Sequence, residues 1–284
     1  MIIDELTLWG DGRAVSEYRS SMGVDTRNDV RVRGYDAGRP VLFAHGYGCD
    51  QSMWRFLSAD FEVDHRVLTF DLVGFGHSDV SAFDPVKYGS LRGHATDLVE
   101  IAEEHGLRDA VLVGHSVSAM IGVLAQQMAP ECFGALVLIA PNPRYIDDGD
   151  YRGGFTRDDI AELLASLDAD QQVWATSMAP VFMGNPERPE LASELASSIC
   201  RTDPQVARHF ARVTFLSDTR AELAGVKAPT LVLQCRDDVI APETVGRYVH
   251  SAIPGSVLTQ LEASGHCPHV SAPAETTAAI RAFL

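Results

Sequence analysis

No apolar run in this 284-residue chain approaches the roughly twenty residues that a helix needs to cross a bilayer. Basic charge is scarce as well: 23 Lys and Arg stand against 39 Asp and Glu, a formal net charge of -16. That balance disfavours nucleic acid or an anionic membrane surface as a partner. The five cysteines, Cys49, Cys132, Cys200, Cys235 and Cys267, are odd in number and lack paired spacing, which argues against a disulfide framework and fits a reducing compartment. Cys267 sits beside a histidine, but sequence adjacency does not make a thiol nucleophilic. The opening Met1-Ile2-Ile3-Asp4-Glu5-Leu6 carries acids where a secretory signal carries base ahead of an apolar stretch. A cytoplasmic location is therefore expected. Metal-ligand clusters are wanting too: His266 and His269 have a suggestive spacing but no further ligands beside them, so no metal is expected.

What is present begins at Gly114-His115-Ser116-Val117-Ser118. It follows the apolar run Ala110-Val111-Leu112-Val113 and precedes a segment readable as a helix, Ala119 to Met128. A strand running straight into a helix forces a tight turn that lifts the central hydroxyl clear of the sheet, the setting in which a serine becomes a nucleophile. The small Gly114 and Ser118 leave room for strand and helix to approach, although glycine is the usual residue at the last position.

A nucleophilic serine needs a base, an orienting carboxylate and donors for an oxyanion. Thr230-Leu231-Val232-Leu233-Gln234 reads as a strand followed by a loop holding Asp237 and Asp238. Val257-Leu258-Thr259-Gln260-Leu261 reads as the next strand, followed by Gly265-His266. In an open parallel sheet the loops after the strands share one edge with the serine turn. Only one of the adjacent acids can point inward, and Asp218 is an alternative from another segment. Nucleophile, acid, base is the chain order of the alpha/beta hydrolases. Upstream, Val41-Leu42-Phe43-Ala44 leads into His45-Gly46-Tyr47-Gly48, which places the backbone N–H of Tyr47 beside that of Val117 as an oxyanion hole. His115 and His45 read as structural, the latter bracing the oxyanion loop, and Asp71 as an anchor for the turn through Gly74 and Gly76.

The 46% hydrophobic and 22% charged composition suits one large core. Strand and helix alternate through Arg66 to Phe70, the amphipathic Leu91 to His105 and the strand Ala135 to Ile139. From Asn142 to about Gly225 no convincing strand appears. Helix-like blocks occur instead at Asp158 to Leu167, Asp170 to Met183, Glu187 to Cys200 and Pro204 to Leu216, as expected for a helical cap roofing the site. The expected architecture is an α/β fold, a mostly parallel sheet flanked by helices, with residues 27–141 and 226–284 as core, 142–225 as a four-helix cap, and 1–26 as an N-terminal extension. Cap aromatics Phe155, Trp174, Phe182, Phe210 and Phe215 are candidates for an apolar pocket and equally for the helices' own core.

The motifs from His45 to Trp54, from Phe70 to Asp79, from Gly114 to Gly122, Gly153-Gly154-Phe155, and Gly265-His266-Cys267-Pro268-His269 resemble the RsbQ-type bacterial stress regulators and their plant relatives, the strigolactone and karrikin receptors. The likeness runs from about Arg27 to the end, and Asn185 to Glu190 with Leu233-Gln234-Cys235 bring it nearer the bacterial branch. In that family the serine turn ends in glycine or serine, and the acid stands four residues before the proline. The resemblance therefore implies Ser116 as nucleophile, Asp238 as acid, His266 as base, and hydrolysis of a small apolar ester or lactone without a cofactor. It further implies a role in general stress signalling beside a sensor-linked protein phosphatase. The alternative is a stand-alone carboxylesterase or lactonase. A serine at the turn argues against the dehalogenase and epoxide hydrolase branches, which use aspartate, whereas carbon–carbon bond hydrolysis and perhydrolysis stay compatible with the same residues. A non-enzymatic binding module is disfavoured, because all three catalytic positions are filled.

Overall fold

The computed structural model describes residues 23–284, so most of the expected extension 1–26 lies outside the described residues. Among the described residues seven strands form one sheet: β1 Arg31–Gly34, β2 Pro40–Ala44, β3 Arg66–Thr69, β4 Ala110–His115, β5 Phe133–Ile139, β6 Thr230–Arg236 and β7 Val257–Ser264. Their order is β1-β3-β2-β4-β5-β6-β7. Every neighbouring pair is parallel except β1 on β3. The mostly parallel sheet matches the architecture expected from the alternation. β1, an exposed edge strand of sequence Arg-Val-Arg-Gly, has no apolar pattern and was not foreseen.

Helices cover both faces. Described elements flanking the sheet are α1 Val24–Asn28, α2 Arg55–Phe61, α3 Leu91–Glu104 and α4 Val117–Met128. Along β2, Leu42 and Ala44 pack with apolar residues of α3 and α4, while Val41 and Phe43 pack with Leu57 and Phe61 of α2 on the other face. Burial on both faces is why the central strands read as continuous apolar runs instead of alternating.

Between β5 and β6 lie α5 Arg157–Ala169, α6 Gln171–Met183, α7 Pro189–Arg201 and α8 Pro204–Phe215. Each start has a local cause. Thr156 and Asp159 form a reciprocal cap for α5, Asp170 and Asp203 accept from the first amides of α6 and α8, and Pro189 and Pro204 occupy first-turn positions that need no N–H. Proline is why α7 begins at 189 and not at 187. Two isolated bridges, Ile146 with Phe155 and Asp148 with Tyr151, shape the loop before α5. The inward faces of these helices form a cluster with Cys49, Tyr145, Ile240 and Cys267, which come from loops at the carboxyl edge of the sheet. The chain closes with α9 Glu243–Ala252, α10 Pro268–Ser271 and α11 Pro273–Phe283. No helix among the described residues is long and apolar enough to cross a membrane.

One buried group makes stability depend on pH. His94 on α3 is fully buried, its ring 4.5 Å from that of Tyr88 and 4.7 Å from that of Phe210, and neither ring nitrogen has a partner among the described residues. Burial pushes its pKa down to about 3. Unfolded histidine titrates near 6.5, so below that pH the unfolded chain binds a proton that the folded one refuses. The stabilisation is complete above about pH 6.5 and is lost as pH falls, by about 1.4 kcal/mol per pH unit for each such histidine. His94→Phe should remove one such increment: between pH 7.5 and 5, its urea-unfolding free energy should fall by about 2 kcal/mol less than that of the unmodified protein. Equal pH dependence in the two proteins would show that His94 is not held neutral.

Candidate active site

The turn between β4 and α4 holds Ser116 at φ 55° and ψ -122°, a left-handed conformation outside the regions favoured for residues with a side chain. The Ser116 amide donates to the carbonyl of Ile139 at 2.9 Å, which ties the turn to the end of β5. Strand and helix meet so closely that a Cβ at position 114 would lie 2.4 Å from the carbonyl oxygen of Ser118. Glycine is required there. Ser118 does more than save space: its hydroxyl donates to the carbonyl of His45, fastening the turn to the loop after β2.

Two further loops reach the same edge. His266 Nε2 lies 2.7 Å from Ser116 Oγ, and His266 Nδ1 lies 2.8 Å from Asp238 Oδ2. Facing a carboxylate, Nδ1 carries the proton, so Nε2 is bare and accepts from the serine hydroxyl. The other Asp238 oxygen accepts from the amides of Ile240 at 2.8 Å and Ala241 at 3.0 Å, leaving Oδ2 aimed at the histidine. All three residues are buried. The two alternative acids lie elsewhere. Asp237, at φ 52°, turns its carboxylate toward Ser264, and Asp218 pairs with Arg144 and Arg220.

Neighbouring histidines hold this line in place. His115 Nε2 donates to the carbonyl of His266 at 2.8 Å, and burial keeps the His115 ring well below its usual pKa and so neutral. Gly46 faces it, and a Cβ at that position would lie 2.6 Å from His115 Nδ1. His45 Nδ1 lies 2.9 Å from the Gly46 carbonyl and Nε2 accepts from the Leu72 amide at 3.0 Å, which braces the loop after β2 as the sequence suggested. Asp71 accepts from the amides of Gln51 and His77, both at 2.7 Å, spanning the turn through Gly74 and Gly76. The ring of His269 packs at a tilt against those of His115 at 4.4 Å and Trp54 at 4.5 Å. Among the described residues no group of three or more His, Cys, Asp or Glu could hold a metal ion.

Val117 opens α4, and Tyr47 follows Gly46 in the braced loop. Among the described residues neither amide donates to another backbone group outside its own element, so both N–H groups are free to receive an anion at the positive end of a helix. The Tyr47 hydroxyl donates to the carbonyl of Ala207 at 3.1 Å and its ring stacks on Phe210, linking the loop to α8.

Above Ser116 lies a cavity of about 30 Å³, lined by Tyr47, Tyr145, Phe182, Thr214, Phe215 and Ile240 among others. Of the candidate aromatics, Phe182 and Phe215 line it. Trp174 packs edge-on against Tyr47 and Phe182, Phe210 against Tyr47, Phe75 and His94, and Phe155 against the cluster formed by the four helices; none of these three is in the lining. Tyr145 was not foreseen. Burial pushes its phenol up, opposed by a hydrogen bond with Ser116. The available signal was position, because Tyr145 follows β5 at the edge where the other functional loops lie. Cys49 and Cys267 also line the cavity, but burial pushes the Cys49 thiol up to about 12 and Cys267 well above its usual value, so neither is a ready thiolate.

A family model described as "Alpha/beta hydrolase family" matches residues 41–280. A strigolactone esterase of Arabidopsis thaliana is 35% identical over 257 residues, which cover 90% of this chain and 96% of the relative. The Petunia hybrida protein named "Karrikin insensitive 2 receptor CA" is 33% identical over 251 residues, covering 88% and 93%. A solved hydrolase from Oleispira antarctica superposes with a TM-score of 0.89 at 39% identity, over 92% of this chain and 95% of that one. With the serine turn at the head of α4 and matches over most of its length, this chain belongs to the alpha/beta hydrolase family and is related to the plant strigolactone and karrikin proteins.

Proposed function

We propose that the protein is a serine hydrolase of small apolar esters or lactones, with residues 142–225 as a cap over a core of 27–141 and 226–284. The observation that carries this reading is the unbroken hydrogen-bonded line from Asp238 through His266 to Ser116. Ser116 Oγ attacks the carbonyl carbon while its proton passes to His266 Nε2, and the amides of Tyr47 and Val117 hold the oxyanion. Collapse breaks the ester bond, and His266 hands the proton to the departing alcohol oxygen. A water then repeats the sequence against the acyl-serine, losing its proton to His266 and releasing the acid. These steps need no group beyond side chains, backbone amides and water.

Cavity size supports the choice of substrate. A volume of about 30 Å³ is far below the hundreds of Å³ of a drug-sized site. Nitrophenyl acetate should therefore be hydrolysed with a kcat/KM at least about a hundred times that of nitrophenyl octanoate, since the longer chain must displace the helices above it. Equal rates, or fast turnover of a long-chain triglyceride, would show that the roof opens freely.

The finer reading, an RsbQ-like regulator of general stress signalling working with a sensor-linked phosphatase, is supported by the motif resemblance. Its competitor is a stand-alone carboxylesterase or lactonase with the same site. Co-purification with such a phosphatase, and a stress reporter that responds to loss of the gene, separate the first from the second.

A further inference from the structure

Several threonine hydroxyls inside the helices of this protein turn back onto their own helix. Thr96 donates to the Arg92 carbonyl at 3.0 Å, Thr176 to Gln172 at 2.8 Å, and Thr276 to Ala272 at 2.9 Å. That is the ordinary local partner for a helical threonine. Thr214, in the last turn of α8, departs from the pattern, as does the buried Thr277 of α11. Thr214 is buried and lines the cavity above Ser116, yet its Oγ1 has no hydrogen-bond partner among the described residues.

Of the buried side-chain polar atoms in the rest of the wall, His115 Nδ1 also lacks a partner among the described residues, but it faces Gly46. His266 is engaged with Ser116 and Asp238, and His115 Nε2 with the His266 carbonyl. Phe182, Leu195, Phe215 and Ile240 make the remainder largely apolar. Thr214 is thus an uncommitted polar group in the wall of a cavity that otherwise rewards hydrocarbon. Its hydroxyl can donate or accept.

We propose that Thr214 is a specificity residue whose hydroxyl bonds a second oxygen in the acyl part of the substrate. The favoured class is a short ester or lactone that carries a hydroxyl, ether or carbonyl oxygen a few bonds from the reacting carbonyl. The acyl part is indicated because it stays bonded to Ser116 inside the small cavity, while the alcohol must leave. The inference rests on the reading of Ser116 as nucleophile. An all-carbon acyl chain leaves the Thr214 hydroxyl dry and unbonded, whereas an oxygen at the right position satisfies it.

The test compares acyl groups in which one methylene is replaced by oxygen: nitrophenyl butanoate with methoxyacetate, and pentanoate with 3-methoxypropanoate. Intrinsic reactivity cancels when the oxygen-to-carbon ratio of kcat/KM is compared between the unmodified protein and Thr214→Val. At one of the two positions that ratio should fall by about tenfold in Thr214→Val and be kept in Thr214→Ser. Unchanged ratios at both positions would overturn the role of Thr214 while leaving the nucleophile in place. Labelling by a fluorophosphonate checks that each variant is folded, and Thr214→Ala takes the same comparison if the valine variant does not label. An unmodified protein that neither labels nor hydrolyses any of the four esters would overturn the nucleophile reading, and this inference with it.

Discussion

Ser116→Ala should lose turnover of a short nitrophenyl ester by a factor on the order of a million and should no longer be labelled by a fluorophosphonate. The size of the loss follows from Ser116 Oγ being the atom that bonds to the carbonyl, with no second hydroxyl among the described residues hydrogen-bonded to His266 Nε2. Tyr145 is the nearest competitor, but burial pushes its phenol up and so disfavours the oxyanion it would need. Alanine is a fair control for folding. Both residues carry a Cβ and meet the same strain at φ 55°, and the amide that donates to Ile139 is retained. Intact mass after exposure to the probe reads the result, and full labelling of a folded Ser116→Ala protein would move the nucleophile elsewhere.

The parts of this site that were legible in the sequence are those with a local cause. An apolar run ending in Gly114-His115-Ser116 announces a strand-to-helix turn, and loops after two further apolar runs announce where an acid and a histidine converge. Even there the boundary moved: the helix read from Ala119 starts at Val117, because the strained Ser116 completes the turn within a single residue. Ser118, a departure from the usual glycine, is accounted for by its bond to the His45 carbonyl, a contact between segments far apart in sequence.

What sequence could not decide depends on neighbours that pattern does not encode. Phe182 and Phe210 are both buried residues of the inserted helices, yet one lines the cavity and the other stacks on Tyr47. Periodicity assigns a face and says nothing of what lies opposite. Thr214 and Tyr145 were silent for the same reason, since their significance comes from proximity to Ser116. β1 was silent because an exposed edge strand needs no apolar alternation.

Adjacent acids are the sharpest case, and they yield a second large effect. Asp238→Asn should reduce turnover on the order of ten-thousand-fold, with little change in stability. The amides of Ile240 and Ala241 both donate to Oδ1, so an asparagine would keep its carbonyl oxygen there and turn its NH2 toward His266 Nδ1. A donor at that position drives the imidazole proton onto Nε2, which then can no longer accept from Ser116. The geometry is preserved and the tautomer is wrong. Asp237→Asn should be mild, because its side chain faces Ser264 and asparagine tolerates the left-handed backbone at φ 52°. Asp218→Asn should also be mild for catalysis, weakening only the partly exposed pairs with Arg144 and Arg220. Steady-state kcat on nitrophenyl acetate across the three variants measures this. A large loss at Asp218 or Asp237 with Asp238→Asn still active would transfer the orienting role to the other loop position, and with it the tautomer argument.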